Sequence, residues 1–408
     1  MKRWIGSGTS MAVLAALTLS GCATFSGGKP TPQPQAPSAS RPSSGLRPFA
    51  DLTRGAEVRT GFFDTYRKGE NLSIAVPQER LGEEFLLTFE IAQGIGAGGL
   101  FGGTMLRIFE GNIVAFERHG DKVFLVQRPH RFVAGGDEAV EKAIDLTFGS
   151  SVLASAKIES MREDSALVFN IHDWMVSDLS AVGENVNAAV SRPGQQGRAS
   201  FDKERSWLES VKAFPENLNI RAKLTFRPGQ PAPFASVPDP RFVPVTVHYS
   251  FAKLPERPME PRLADDRVGY FMTVHKDFSN DEGDDFFVRY VNRWRLEPKG
   301  APEPDGLVEP VKPIVYYLDH NIPEAYRPYI KAGVEAWNAA FEAAGWKNAI
   351  RAEMLPEGAD AEDIRYATIR WNTSDEPGYG AIGPSIVDPR TGEILDADIL
   401  IEANMIRR

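Results

Sequence analysis

Histidine spacing decides whether this chain carries a zinc peptidase site of the commonest kind. Two histidines four residues apart on a helix bind one Zn²⁺ from the same face, and the glutamate between them activates the bound water. The 408-residue chain has six histidines, no two of them four apart: His119, His130, His172, His248, His275 and His320. The two that adjoin an aspartate, His172 and His320, are interpreted as loop histidines rather than ligands. The sequence therefore assigns no catalytic and no metal-binding residue.

Three other patterns favour a structural interpretation over a functional one. Residues 94–99 satisfy Gly-x-Gly-x-x-Gly, but a strand rather than a helix follows, so a hairpin loop is predicted instead of a dinucleotide site. The acidic residues 277–285 could bind Ca²⁺, but their glycine is out of register for an EF-hand, and a solvated turn is favoured. Asp396 and Asp398 lie on one face of a predicted strand, where an exposed polar face is favoured over an acid–base pair.

The C-terminal part contains the elements that would position a site. An amphipathic helix is predicted over residues 324–344, because apolar residues recur there at helical spacing, namely Ile330, Val334, Trp337 and Phe341. Extended segments surround it at residues 313–318, 349–355, 366–371, 379–389 and 392–401. This order predicts a mixed sheet backed by one helix.

Two groups of residues in this part resemble a known family. Trp337-Asn338 and Ala340-Phe341 lie on the helix, and Gly-Pro-Ser-Ile-Val-Asp-Pro-Arg-Thr-Gly-Glu-Ile occupies residues 383–394. Together with the element order, they resemble the bacterial lipoprotein zinc metalloproteases, whose catalytic part is zincin-like and close to the matrix-protease branch of the metzincins. In that family the next element is the His-Glu-x-x-His helix, which these residues lack. The resemblance therefore implies the N-terminal portion of such an enzyme, inactive alone, with zinc expected only in a full-length member.

The same resemblance implies one set of binding residues. In zincins an extended edge strand above the active site pairs with the backbone of the substrate peptide. The matching positions here are Gly380, Ala381, Ile382 and Gly383, and Pro384 ends the pairing because it has no N–H to donate. A plain structural strand is the alternative.

The N-terminus predicts export and a lipid anchor. Lys2 and Arg3 precede a short apolar run, and Leu-Ser-Gly-Cys at residues 19–22 is typical of a lipoprotein signal over residues 1–21. Cys22 would be acylated, and Ala23 after it is typical of outer-membrane lipoproteins of Gram-negative bacteria. An ordinary signal peptide with an incidental cysteine is the alternative. Residues 22–50, rich in Pro and Ser, are predicted to be a disordered tether.

The middle of the chain predicts a β-rich N-terminal domain over residues 51–296. Short apolar runs alternate with turn residues, and residues 243–251 alternate as a half-buried strand. Helices are predicted at residues 137–144 and 203–213. A Pro- and Glu-rich connector at residues 297–310 leads to a partial zincin-like domain over residues 311–408. The whole is therefore expected to be α+β. The β-rich region also resembles the N-terminal region of the same family, notably at residues 267–271 and 277–279.

Two functions follow from these observations. The first is the N-terminal portion of a secreted, lipid-anchored zinc-dependent metallopeptidase that acts on peptides or proteins. The second is a non-catalytic surface lipoprotein whose β-rich domain binds a peptide, glycan or protein partner. The net charge is −9, and basic and acidic residues are mixed along the chain. Because no basic stripe is present in the sequence, nucleic-acid binding is not predicted.

Overall fold

Short apolar runs separated by turn residues fold as antiparallel strands through most of the chain. The structure is a computed structural model that describes residues 45–107, 112–192, 194, 197–279, 285–375 and 378–406. These residues belong to one compact unit spanning residues 45–408. The prediction of a β-rich protein is confirmed.

The elements of the first part form, with few exceptions, one large sheet. In chain order they are α1 (Phe49–Thr53), β1 (Glu57–Arg59), β2 (Asp64–Lys68), β3 (Asn71–Val76), β4 (Glu84–Gln93), β5 (Thr104–Leu106), β6 (Ile113–His119), β7 (Lys122–Gln127), β8 (Phe132–Val133), α2 (Glu138–Thr147), β9 (Ser151–Met161), β10 (Leu167–Asn170), α3 (His172–Met175), α4 (Val182–Ala189), β11 (Ala199–Phe201), β12 (Trp207–Ala213), β13 (Asn217–Pro228) and β14 (Val243–Lys253).

The elements of the second part form smaller sheets. They are β15 (Met272–Asp277), β16 (Phe287–Val291), β17 (Ile314–Leu318), α5 (Arg327–Glu335), α6 (Asn338–Ala343), β18 (Ile350–Met354), β19 (Thr368–Asn372), β20 (Ala381–Ile382), β21 (Ser385–Asp388), β22 (Glu393–Ala397), β23 (Ile399–Glu402) and α7 (Ala403–Ile406). Among the described residues, no helix is long and apolar enough to cross a membrane.

The large sheet curves until its two ends meet. Its 13 strands run in the order β1-β2-β3-β10-β9-β7-β6-β4-β14-β13-β11, with β12 paired to β13 and β5 to β4. At the meeting point, Arg67 of β2 donates hydrogen bonds to the carbonyls of Leu208 and Glu209 in β12. Nearby, the Phe62 N–H donates to the Phe214 carbonyl at 2.7 Å. We call this near-closed sheet the barrel. Its interior is apolar, and its largest fully buried side chains include Phe85, Phe89, Phe116, Phe169, Phe226, Tyr249 and Phe251.

The two predicted helices in this region had different outcomes. The first is confirmed as α2, because the side chain of Asp137 accepts hydrogen bonds from the N–H groups of Ala139 and Val140 and caps the helix. The helix predicted at residues 203–213 is wrong. Only a 3₁₀ turn, Lys203–Arg205, forms there, and β12 follows it. Pairing with β13 along the whole length of β12 overrides any local helical preference of these residues.

β14 also departs from its prediction, because both of its faces are buried. The inward residues Val245, Val247 and Tyr249 lie in the barrel core, as the alternation predicts. On the opposite face, however, Thr246 and Ser250 are only 1% and 3% exposed. The cover on that face comes from the C-terminal part of the chain, which the alternation within β14 could not reveal.

The C-terminal sheet has the order β18-β17-β19-β23-β20. Its first four strands are parallel neighbours, whereas β20 is antiparallel to β23 at the edge. Ile330 and Val334 of α5 pack on the other side from the barrel, against Leu318, Ile322, Ala352 and Ile369. A small hairpin of β21 and β22 lies between β20 and β23 in sequence.

The predicted backing helix is interrupted. α5 ends at Glu335 and α6 begins at Asn338, and Trp337 between them is 64% exposed, so its predicted place on the buried face is wrong. The Asn338 side chain ties α6 to the sheet. Its amide donates to the carbonyl of Ile350 at 2.7 Å and its oxygen accepts from the N–H of the same residue. These two bonds fasten the helix to β18 and leave Trp337 on the solvent side.

Candidate functional site

Residues 380–383 form the outer edge of the C-terminal sheet, where the sequence predicts a substrate-binding strand. Ala381 and Ile382 pair with Ile401 and Leu400 of β23. In the part of the chain that the structure describes, no strand pairs with the other side of β20. All four residues, Gly380, Ala381, Ile382 and Gly383, are exposed. The edge is therefore available to an additional strand.

The hydrogen-bond alternation of an antiparallel pair shows which backbone groups of this edge are free. The Glu402 N–H donates to the Gly380 carbonyl at 2.9 Å, so Gly380 and the residue two positions on, Ile382, direct their backbone groups toward β23. Ala381 and Gly383 then direct their N–H and C=O groups outward. An extended peptide could pair with those two residues without disturbing the internal ladder.

A buried carboxylate fixes the segment that leads into the edge strand. Glu402 is fully buried, and it accepts hydrogen bonds from the N–H and hydroxyl of Ser374 and from the N–H of Asn404. The Asn404 amide donates back to the Ser374 carbonyl at 2.6 Å. One residue before the edge, the Tyr379 hydroxyl accepts from the Asn372 amide at 2.6 Å.

The glycine-rich loop of the barrel reaches this segment. It connects β4 to β5, which pair antiparallel, so the predicted hairpin loop is confirmed. A Cβ on Gly103 would lie 1.5 Å from Leu400 Cδ1, which means that only glycine fits against β23. Beyond it, Phe101 packs edge-on against Tyr379, with ring centroids 5.7 Å apart.

A cluster of charged residues joins the outer face of the barrel to the C-terminal sheet. We call it the polar interface; its members are Glu90, Arg221, His248, Glu362, Arg370, Asp396 and Asp398. They surround cavities of about 40 and 150 Å³. Buried atoms of three members, His248 Nε2, Arg221 Nε and Glu362 Oε2, have no hydrogen-bond partner within the described residues. The larger cavity has room for water molecules that would satisfy such atoms.

Ion pairs span the polar interface from barrel to sheet. Glu362 lies 2.5 Å from Arg221 and 3.2 Å from Lys212, both on barrel strands. Within the barrel, Glu90 faces His248 at 3.7 Å. Burial would raise the pKa of Glu90, but His248 and the charges of Arg370 and Arg221 outweigh it and hold that pKa below its usual value.

Asp396 and Asp398 belong to this interface, so the predicted exposed polar face is wrong. Asp396 is 7% exposed at the end of β22, and Asp398 lies between β22 and β23. Asp398 pairs with Arg370 and accepts hydrogen bonds from the N–H and hydroxyl of Thr368. Burial is the main cause that raises the pKa of Asp396 to about 7; the charge of Arg370 opposes the shift and that of Glu90 adds to it.

Two of the six histidines, His130 and His275, lie next to each other. All six lie in described ranges, and among the described residues no three His, Cys, Asp or Glu side chains are grouped so that they could hold a metal ion. His275 Nδ1 contacts the His130 carbonyl at 3.1 Å, and burial lowers the pKa of both imidazoles, that of His130 to about 4. Within the described ranges, the residues do not fit a zinc centre.

The other predicted features are placed as follows. In the acidic turn, Asp277 accepts from Ser279 and Asp285 from Phe287, while residues 280–284 lie outside the described residues. Cys22 also lies outside them. Sequence reasoning missed Glu90, His248 and Glu402. The polar residues that alternate along β14 were the one signal that its outer face meets a polar surface.

Comparison with known proteins gives one match, to a family model that covers part of the chain. Residues 107–299 match the family model described as a domain of unknown function, DUF5117. The matched stretch includes residues 267–271 and 277–279, on which part of the family resemblance rests. No curated protein and no solved structure matches the chain. Over residues 107–299 the chain is similar to a domain whose function is not known.

Proposed function

We propose that the chain binds an extended peptide along the outer edge of β20, as the N-terminal portion of a lipid-anchored zinc-dependent metallopeptidase. The observation that carries the proposal is the exposed antiparallel edge strand on an otherwise parallel sheet, at residues 380–383. The bound peptide would gain main-chain hydrogen bonds from Ala381 and Gly383, the usual source of affinity in strand addition. The zincin-like assignment of the sheet is part of the proposal and rests on the resemblance.

Hydrolysis is not assigned to residues of this chain. Zinc would supply a Lewis acid and a water of lowered pKa, and the described residues do not provide its ligands. We therefore expect that the 408-residue chain, incubated with Zn²⁺ and casein, releases no peptides. Chelator-sensitive hydrolysis by the purified chain would contradict this part of the proposal.

The edge strand can be tested with one substitution. Ala381→Pro removes an outward N–H and leaves the ladder with β23 intact, because proline is tolerated where the N–H faces solvent. We expect it to weaken binding of short fluorescein-labelled apolar peptides by roughly tenfold, since a backbone hydrogen bond is lost and the ring blocks the approach. Fluorescence anisotropy measures the affinity.

Ala381→Val is the matched control, since valine keeps the N–H and favours an extended backbone. It should bind like wild type, and both variants should unfold at the wild-type temperature. Equal affinity for Ala381→Pro and wild type, or no peptide binding by wild type, would refute the proposed edge.

The alternative, a non-catalytic lipoprotein that binds a partner through its β-rich domain, is favoured by one observation. Around β15 and β16 the side chains of Phe271, Phe287 and Met272 are 86%, 46% and 44% exposed. Exposed apolar patches of this kind are typical of interaction surfaces. Peptide binding that survives Ala381→Pro but is lost in a Phe271→Ser, Phe287→Ser double variant would favour this second function.

We also propose that Cys22 carries the lipid that anchors the chain at the outer membrane. The proposal rests on the lipoprotein signal pattern at residues 1–22. In cells given radiolabelled palmitate, wild type should incorporate the label and sediment with membranes. Cys22→Ser should do neither, and labelling of that variant would refute the assignment.

A further inference from the structure

We infer that a cavity at the end of β7 binds a small molecule that carries a phosphate monoester group. The cavity measures about 310 Å³. Its lining includes six polar side chains that can donate hydrogen bonds, namely those of Arg107, Gln127, Arg128, His130, Arg131 and Ser151. All six lie in the stretch that matches DUF5117. Binding at this cavity does not depend on the edge strand.

The charge of the cavity favours an anion. No aspartate or glutamate lines it within the described residues, although the chain as a whole has a net charge of −9. Arg128 already has acidic neighbours, because Glu117 lies 2.9 Å and Glu84 3.9 Å from its guanidinium. Arg131 is exposed, and among the described residues its guanidinium has neither an ion pair nor a hydrogen bond. A bound anion would therefore supply the partner that Arg131 lacks.

His130 contributes a hydrogen-bonding group rather than a charge. Burial is the main cause that lowers its pKa to about 4, and the positive charges of His275 and Arg131 add to the shift, so the ring is neutral at pH 7. Its buried Nδ1 has no hydrogen-bond partner within the described residues. Buried polar atoms are normally paired, so a ligand or water in the cavity would satisfy this nitrogen.

Phosphate suits this set of donors better than carboxylate. Guanidinium groups bind both anions through two parallel hydrogen bonds. A phosphate monoester offers three terminal oxygens and nearly two negative charges at neutral pH, so it can accept from several arginines at once. The cavity is also larger than a phosphate group requires, which leaves room for the small organic part of the ligand.

The loop that carries these residues is fixed by its neighbours. The Arg131 carbonyl accepts a hydrogen bond from the Lys276 N–H at 2.7 Å. Directly after it, the ring of Phe132 stacks on Phe148, with centroids 3.8 Å apart. Because the backbone is held in this way, little ordering cost is left for the ligand.

The test is calorimetric titration with glycerol 3-phosphate at constant ionic strength. Wild type should bind it and should not bind glycerol. Arg131→Gln should weaken the affinity by roughly tenfold, because a charge-assisted hydrogen bond is lost. Arg118→Gln is the matched control: it removes the same charge from an exposed arginine on β6 whose guanidinium donates to the Gly120 carbonyl. Equal losses in the two variants would show an effect of net charge alone and would overturn the site.

A second measurement locates the ligand. In protein with ¹³C-labelled histidine, glycerol 3-phosphate should shift the ring resonances of His130 and leave those of the exposed His320 unchanged. Binding without a shift at His130 would place the ligand elsewhere and refute the assignment. Thermal unfolding accompanies each variant. If Arg131→Gln unfolds, Arg131→Lys takes its place, with a smaller expected loss because the charge is kept but the paired donors are not.

A phosphate monoester could also come from a lipid headgroup, and vesicles of phosphatidylcholine with phosphatidic acid test that source. The Cys22→Ser chain is used, because it lacks the proposed lipid attachment site. Titration by glycerol 3-phosphate would identify a free small molecule as the ligand. Sedimentation with the vesicles alone, lost on adding Arg131→Gln, would identify a headgroup. Absence of binding to both would refute the inference.

Discussion

The interior of the barrel and the polar interface are both buried, but they are built from opposite residue types. The barrel interior consists of aromatic and branched aliphatic side chains, with Phe89 and Tyr249 in edge-on contact at 5.8 Å. On the other side of the same strands, Glu90 and His248 face carboxylates and guanidinium groups of the C-terminal sheet. One strand pair therefore supplies a hydrophobic core on one face and an electrostatic contact on the other.

The two faces contribute differently to the stability of the folded chain. Apolar burial stabilises in proportion to the area removed from water, and a cavity left among the buried side chains lowers the stability. Buried charges contribute little net stability, because desolvation cancels much of the attraction, yet loss of one partner is costly. The barrel interior should therefore determine whether the chain folds, and the polar interface should determine how the C-terminal sheet sits on it.

The largest expected effect is in the barrel interior. Phe89→Ala deletes a fully buried ring and should lower the free energy of unfolding by about 3–5 kcal/mol, measured by urea denaturation. Phe124→Ala, at a half-buried position, should cost far less. If Phe89→Ala lowered the free energy of unfolding only slightly, the barrel interior would not be the principal source of stability.

A smaller loss is expected where one charge of the polar interface is removed. Glu362→Gln keeps the shape of the side chain but leaves Arg221 and Lys212 without their carboxylate, and should cost about 2 kcal/mol in the same assay. Both cations are partly exposed, which limits the loss. The exposed Glu357→Gln is the control, and an equal effect there would show that Glu362 contributes only net charge.

The last effect has the opposite sign, because it is a gain in stability that depends on pH. Asp396 keeps its proton in the folded chain up to a pKa of about 7, whereas its unfolded value is near 3.8. As pH rises between these values, only the unfolded chain releases the proton, so this residue makes the folded state less stable, and above about pH 7 the cost is complete. Asp396→Asn should therefore be more stable than wild type at pH 8, by up to about 4 kcal/mol, and nearly equal at pH 4.

The Asp396 prediction has a matched control in the same cavity. Asp398→Asn weakens the pairing with Arg370 and should destabilise at both pH values. Urea midpoints at the two pH values measure both variants. An effect of Asp396→Asn that does not change with pH would contradict this prediction. It would show that the polar interface does not lose stability by burying this carboxyl group.

The positions of most strands and helices could be predicted from the sequence, but the residues that cover them could not. β17, β18 and β19 and the edge at β20 follow from local apolar patterns and turn residues, and so does α2 with its Asp137 cap. The helix predicted at residues 203–213 is wrong, because the pairing of β12 with β13 is a tertiary contact that the local sequence does not encode. The alternation in β14 indicated a solvated face for the same reason: the covering residues come more than a hundred positions later in the chain.

For the candidate site too, the sequence indicates some residues, and only the packing shows how the others are placed. Residues 380–383 follow from the family resemblance and stay a prediction, whereas the sequence gives the glycine-rich loop that contains Phe101 no functional role. Nothing near Phe101 in sequence indicates that its ring meets Tyr379. Asp396 and Asp398 were noticed as a pair, but only their packing against Glu90 and Arg370 shows that they are buried.

The contact between Phe101 and Tyr379 has a consequence for folding. Its two partners lie far apart in the sequence, so the contact has high contact order and forms only after the ribosome has made Tyr379. All of the barrel strands precede Tyr379 in the chain, so the barrel can form before this contact does. A chain that ends before Tyr379 would therefore keep the barrel strands and lack the contact.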